Sequence, residues 1–291
     1  MRFNKYIAIR WSKATILHIC LLVVTLTCLF PLFWMLRSSF MTQETIFTDM
    51  TLLPAKLNLE NYIRAWTEGK FNLYLLNSVI YTTFVVGGIV LIASWAAYAF
   101  SRLNFPGKNI FFVMFILAMM IPLPGSFVPL TVMMTKLGFI NSSYTWVRQL
   151  GYIFCMINVG LSLSIILLKT FFDQMPPDLE DAARIDGCNK MGIWRHVALP
   201  LARPAIAVIV IFNALNVWNE YILAMLLLND IPGKPTIMPL QRGVMVFANA
   251  NNVDYPLLMA GLTIAVIPIV LVYLVMQKHI IKGLAAGAVK G

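Results

Sequence analysis

Residues 176–200 read PPDLEDAARIDGCNKMGIWRHVALP, the one long charged stretch lying between two apolar runs of membrane length. Its residues predict a helix, a turn and a second helix. Pro177 suits the first turn of a helix, where a missing N–H removes no internal hydrogen bond. Asp178, Glu180 and Asp181 place negative charge at the positive end of the helix dipole. Leu179, Ala182, Ala183 and Asp186 share a face by three-and-four spacing, and Ala182-Ala183 makes that face small enough for another surface to approach closely. Gly187 supplies the stop, because glycine tolerates the left-handed conformation that ends helices. A second short helix follows, with Ile193 and Val197 on one face, before Leu199-Pro200 leads into the next apolar run. The expectation is a compact hairpin on a membrane protein, shaped to be gripped by something soluble.

The composition supports the membrane setting. Of the 291 residues, 60% are hydrophobic and 12% charged, and the mean hydropathy is +0.80. A soluble protein is about half apolar and about a quarter charged. Six runs, about 14–36, 74–100, 110–135, 148–171, 204–228 and 257–281, each reach the roughly 20 residues a helix needs to cross the hydrocarbon. Lipid admits only helices or closed barrels, and continuous runs of this length mean helices. The expected fold is an all-α polytopic bundle of six transmembrane helices, a single membrane domain over 1–291, with the charged hairpin between spans 4 and 5.

Basic residues set the expected orientation. With the N-terminus inside, the inner segments hold 14 Lys and Arg and the outer segments 8. That bias puts both termini and the 176–200 segment in the cytoplasm, and it makes the net charge of +10 largely a topology signal. No basic stripe with interleaved aromatics stands outside the spans, so a nucleic-acid partner is not expected. The first apolar run is too long for a secretory leader, and no small-residue cleavage site follows before Arg37. The four cysteines, Cys20, Cys28, Cys155 and Cys188, avoid the outer loops, so no disulfide framework is implied.

The hairpin then resembles a known family. The pattern E-A-A-x3-G-x9-I-x-L-P marks permease subunits of ABC importers. Here it reads Asp181-Ala182-Ala183, three residues, Gly187, nine residues, Val197, one residue, Leu199-Pro200. Asp for Glu and Val for Ile are the two departures. The string AAYAFSRLNFPGK at 96–108 and the end GLAAGAVKG at 283–291 are similar to the carbohydrate-uptake, maltose-permease-like branch. The resemblance implies that the hairpin is the coupling helix, docking on an ATPase through Glu180, Asp181, Ala182, Ala183, Asp186, Gly187, Val197, Leu199 and Pro200. It implies that the tail, with Gly283, Leu284, Gly287 and Lys290, reaches the ATPase interface. It further implies a second, different permease subunit, two ABC ATPase subunits and an extracytoplasmic solute-binding protein. The location would be the bacterial cytoplasmic (inner) membrane, and the substrate an oligosaccharide or glycoside. The outer segments carry 8 basic and 6 acidic residues, a balance that does not establish an acidic substrate; a glycerol phosphate ester or an acidic, uronate-type oligosaccharide is the alternative. An ion-coupled secondary transporter is the rival from another class; it would leave the hairpin unexplained, and no internal repeat is visible.

Polar residues inside the spans have two readings each. Pro122, Pro124 and Pro129 bend the third span, as a gate or as a structural kink. Asn158, Ser162 and Ser164 suit interhelical hydrogen bonds. Asn213, Asn216, Asn219 and Glu220 follow three-and-four spacing in the fifth span. They form either glue between helices, worth about 0.6 kcal/mol each, or one wall of a wetted substrate path. No G-x4-G-K-[ST] phosphate loop occurs, so ATP and Mg belong to a separate ATPase and no cofactor is expected on this chain. His18, His196 and His279 are scattered, and neither a metal cluster nor a catalytic triad can be assembled from spacing.

Overall fold

The structure, a computed structural model, describes residues 2–54, 56–249 and 252–288. In chain order these form α1 (Arg2–Ser38), α2 (Glu60–Thr67), α3 (Phe71–Arg102), α4 (Lys108–Met120), α5 (Leu123–Lys136), α6 (Thr145–Asp173), α7 (Asp178–Ile185), α8 (Lys190–Ile193), a π-turn over Trp194–Ala198, α9 (Leu199–Leu201), α10 (Arg203–Asn219), α11 (Ile222–Leu227), α12 (Leu240–Val244) and α13 (Tyr255–Ala288). A two-residue antiparallel pair joins Ala248–Asn249 to Asn252–Val253. The chain divides into two compact units, Met1–Gly69 with Val244–Ile264, and Lys70–Gly243 with Ala265–Gly291.

In the first unit the apolar part of α1, Ala14–Ser38, buries none of its most apolar stretch against its own chain. The segment after it is organised by buried polar groups. Arg37 is 3% exposed; its Nε donates to the Thr51 carbonyl at 2.6 Å and its Nη2 to the Asp49 carbonyl at 2.7 Å. Asn61 on α2 donates to the Ser39 and Met41 carbonyls at 2.9 and 2.8 Å. The amphipathic α2 is thus pinned to the loop that precedes it. Gln43 closes the unit by donating to the Val253 carbonyl and accepting from the Tyr255 N–H.

In the second unit α3 and α6 pack along their length. Ala93 and Ala97 are fully buried, so the small-residue spacing on α3 lets the two backbones approach closely. Tyr81 and Tyr152 meet edge-to-face with centroids 4.9 Å apart, a geometry worth about 0.5–1.5 kcal/mol beyond burial. Ile89, Ile165, Leu168, Phe172 and Ile209 fill the core around them, with Ile209 supplied by α10.

Among the described residues, four helical stretches are long and apolar enough to cross a membrane: Ala14–Ser38, Phe71–Arg102, Thr145–Asp173 and Tyr255–Val275. Two bent pairs raise the number to six if each is one span. α4 and α5 meet at 105°, and the Lys190–Leu201 stretch meets α10 at 75°. The runs expected at 14–36, 74–100, 148–171 and 257–281 are therefore carried by single helices, whereas 110–135 and 204–228 are not. The third run breaks at Ile121-Pro122, because Pro122 has no N–H to continue the ladder and takes an extended ψ of 125°, an interruption where the sequence suggested a bend. The fifth stops at Asn219 and restarts at Ile222.

Candidate functional site

The 176–200 segment folds as a helix, a left-handed turn and a second helical stretch. α7 ends in a Schellman motif: Gly187 has φ +86°, the Cys188 N–H donates to the Ala183 carbonyl at 2.9 Å, and the Gly187 N–H donates to the Arg184 carbonyl at 3.0 Å. Those two bonds satisfy the last carbonyls of the helix from the backbone alone. Asn189 then caps α8, its Oδ1 accepting from the Gly192 N–H at 2.8 Å. An Asn immediately before a helical run is the sequence signal for this cap.

The hairpin has an inner and an outer face. Glu180 and Ala183 are buried, together with Ile193, Trp194 and Ala198. Asp181, Ala182, Asp186 and Gly187 are exposed, while Val197, Leu199 and Pro200 are half-buried. Leu179 is 42%, Met191 56% and Ile185 87% exposed. The small face expected from Ala182-Ala183 is split, since one alanine points outward and its neighbour inward. Adjacent residues on a helix sit about 100° apart, and here the boundary of the buried face falls between them. Glu180 lies inward for a stated reason: its carboxylate meets Arg102 Nε at 3.0 Å and Arg184 Nη2 at 3.7 Å.

The intramembrane stripe is divided too. Asn213 is 2% exposed; its Nδ2 donates to Ser164 Oγ at 3.0 Å and to the Ile209 carbonyl at 2.7 Å. Ser164 in turn donates to the Gly160 carbonyl. Asn213 is therefore helix-to-helix glue between α10 and α6, and of the two readings the geometry supports this one. Asn216 and Asn219 are exposed, and Asn219 donates back to the Leu215 carbonyl at 2.8 Å. Glu220 is half-buried at the break, where its Oε1 accepts from the Leu223 N–H at 2.6 Å. It is thus a side-chain cap on α11, satisfying an N–H that a helix start leaves open. Of the tail residues, Gly283, Leu284 and Gly287 lie on the backbone of α13, and Lys290 lies outside the described residues. No group of His, Cys, Asp and Glu able to hold a metal occurs among the described residues.

Residues 88–286 match the family described as "Binding-protein-dependent transport system inner membrane component". The chain belongs to that family. It is similar to a probable ABC transporter permease protein, YurM, of Bacillus subtilis, at 34% identity over 90% of this chain and 84% of the relative. It is also similar to a diacetylchitobiose uptake system permease protein, NgcG, of Streptomyces coelicolor, at 30% identity over 94% of this chain and 88% of the relative. Its fold matches a solved chain of a bacterial ABC transporter involved in the import of the acidic polysaccharide alginate, with a TM-score of 0.77 and 24% identity over 91% of this chain and 95% of that one.

This permease is an inner-membrane transport component, and its helical fold follows the importer architecture. Sequence reasoning missed Arg102. It stands within the 96–108 string, but its contacts depend on which chain segments fold around its guanidinium, and only the tertiary structure reveals those.

Proposed function

We propose that the chain is one of two unlike permease subunits in an ATP-driven, binding-protein-dependent importer of carbohydrate. In this reading it crosses the inner membrane six times with both termini in the cytoplasm, α4 with α5 counting as one crossing and α10 with α11 as another. The 176–200 hairpin docks on a separate ATPase, which binds ATP and Mg and carries out the hydrolysis. The observation that carries the reading is the two-sided hairpin. Its inner face is locked into the bundle, and its outer face offers Leu179, Ile185 and Met191 beside Asp181 and Asp186. Exposed apolar side chains rimmed by charge on a short rigid element suit a protein groove better than water. Closure of an ATPase dimer would move the hairpin, and the packed helices above it would rock between inward-open and outward-open arrangements.

The carbohydrate class rests on the resemblance at 96–108 and 283–291 and on the diacetylchitobiose system named for one relative. Asn216, Asn219 and Glu220 are the polar groups of the α10–α11 break available to sugar hydroxyls, which amides and carboxylates bind well. An irregular backbone at membrane depth is tolerated where it is buried in protein or borders water. A uronate oligosaccharide or a glycerol ester would use the same machinery. The test is purification of the tagged chain from its native membrane, followed by an uptake panel of labelled diacetylchitobiose, maltose and digalacturonate. An ABC-type ATPase and a second permease should co-purify, and uptake of one saccharide should require ATP. Saccharide uptake driven by an ion gradient with no ATPase present would refute the reading.

A further inference from the structure

Arg102, the last residue of α3, touches three separate pieces of chain. Its Nη2 donates to the Phe172 carbonyl at 2.6 Å, near the end of α6, and also to the Met175 carbonyl in the linker that follows. Its Nε lies 3.0 Å from Glu180 Oε1 on α7. That N–H is not aimed at the oxygen, so the contact is a Coulombic pair rather than a hydrogen bond. The side chains are 16% and 6% exposed, which limits screening by water and salt. Beside it, Ser101 donates to Asp173 at 2.7 Å and Lys169 pairs with the same carboxylate at 2.6 Å. The final turn of α3 is thereby tied to the final turn of α6.

We propose that Arg102 is a positioning residue that clamps the hairpin to α3 and α6. This rests on the docking role argued above and adds a route for the force. Without the clamp, the hairpin keeps the linker Gln174–Pro177 and the apolar seat of Ala183, Ile193 and Trp194, with Trp194 against Trp95 of α3, but α7 loses its charged tie to α3, so part of a pull on the hairpin would be absorbed by turning that linker. With it, a displacement of α7 is passed to the ends of two packed helices at once. A planar guanidinium can meet two carbonyls and a carboxylate together, whereas a lysine ammonium on the same stem is a point charge that cannot hold all three.

The test places spin labels at Lys190 on the hairpin and at Leu91 on α3, in a chain freed of its native cysteines. Distances are measured on the chain alone in lipid nanodiscs and again in the assembled transporter with MgATP and vanadate. The clamp predicts one narrow distance population in both preparations. E180Q, which keeps the shape and removes the charge, and R102K, which keeps the charge and removes the fork, should each raise the displaced population at least about tenfold, as expected when a buried charge pair loses one partner or its geometry. In the transporter both variants should keep hydrolysing ATP, while MgATP and vanadate enlarge the displaced population that the wild-type chain lacks. A narrow, wild-type population in E180Q would overturn the clamp even if R102K misfolds. So would a loss of assembly and hydrolysis with the distance unchanged. If no ATPase joins the wild-type chain, the docking reading fails, while the nanodisc distances still decide the clamp.

Discussion

The chain interrupts a helix at Gly187 and again at Glu220, and it satisfies the exposed backbone in opposite ways. At Gly187 the backbone closes on itself, with two N–H groups of the turn reaching back to Ala183 and Arg184. No side chain is spent, so Leu179, Ala182 and Ile185 stay free on the outer face. At Glu220 the opened N–H of Leu223 is taken by a carboxylate, and that same carboxylate is half-buried in the region proposed to meet substrate. The first break makes a rigid fitting whose surface is available to a partner. The second makes a joint whose stability and chemistry share one side chain. A substitution at 187 should therefore act through conformation alone, and one at 220 through both.

The largest effect is expected from Gly187→Val. A Cβ added there would meet nothing within 4 Å, so the backbone conformation rather than crowding at Cβ sets the cost. The cost is the φ of +86°, at least about 1–2 kcal/mol for a residue with a Cβ and more for a branched one. The variant should insert normally yet fail to retain the ATPase in pull-down, whereas Gly187→Asn, which tolerates the left-handed region, should retain it. Normal pull-down by the valine variant would break the contrast between the two joints.

Glu220→Ala should act more mildly. Losing a helix cap costs about 1 kcal/mol, so assembly with the ATPase should survive while uptake per assembled transporter falls. Glu220→Gln sharpens the comparison, because it keeps the accepting oxygen and removes the charge. Recovery of uptake with Gln assigns the residue to the cap; uptake as poor as with Ala assigns it to the path. Wild-type uptake per transporter with Ala would remove both roles.

The two joints also differ in how legible they were. Gly187 was readable because acidic residues, a small-residue face and a glycine occur in the order a helix start and stop require. The Glu220 break was not: Asn219-Glu220-Tyr221 contains neither glycine nor proline, and the local apolar pattern runs on to 228. The interruption depends on a capping bond three residues along, which no periodicity reports. Pro122 announced a change of direction, but a proline sets only the missing hydrogen bond, and the 105° between α4 and α5 is fixed by what each half packs against. The asparagine spacing predicted one stripe, whereas Asn213 is buried and Asn216 and Asn219 are exposed. Ser164 and Gly160 on α6, far off in sequence, are what turned Asn213 into glue.

The claim on which the rest depends is that the outer face of the hairpin is a cytoplasmic docking surface, and Ile185 at 87% exposure is its most accessible point. Ile185→Cys in a chain lacking Cys20, Cys28, Cys155 and Cys188 should be treated with a membrane-impermeant maleimide in intact cells and in inside-out vesicles, with and without the ATPase. The account predicts no labelling in intact cells, rapid labelling in stripped inside-out vesicles, and protection when the ATPase is returned. Labelling from outside the cell, or equal labelling with and without the ATPase, would contradict it.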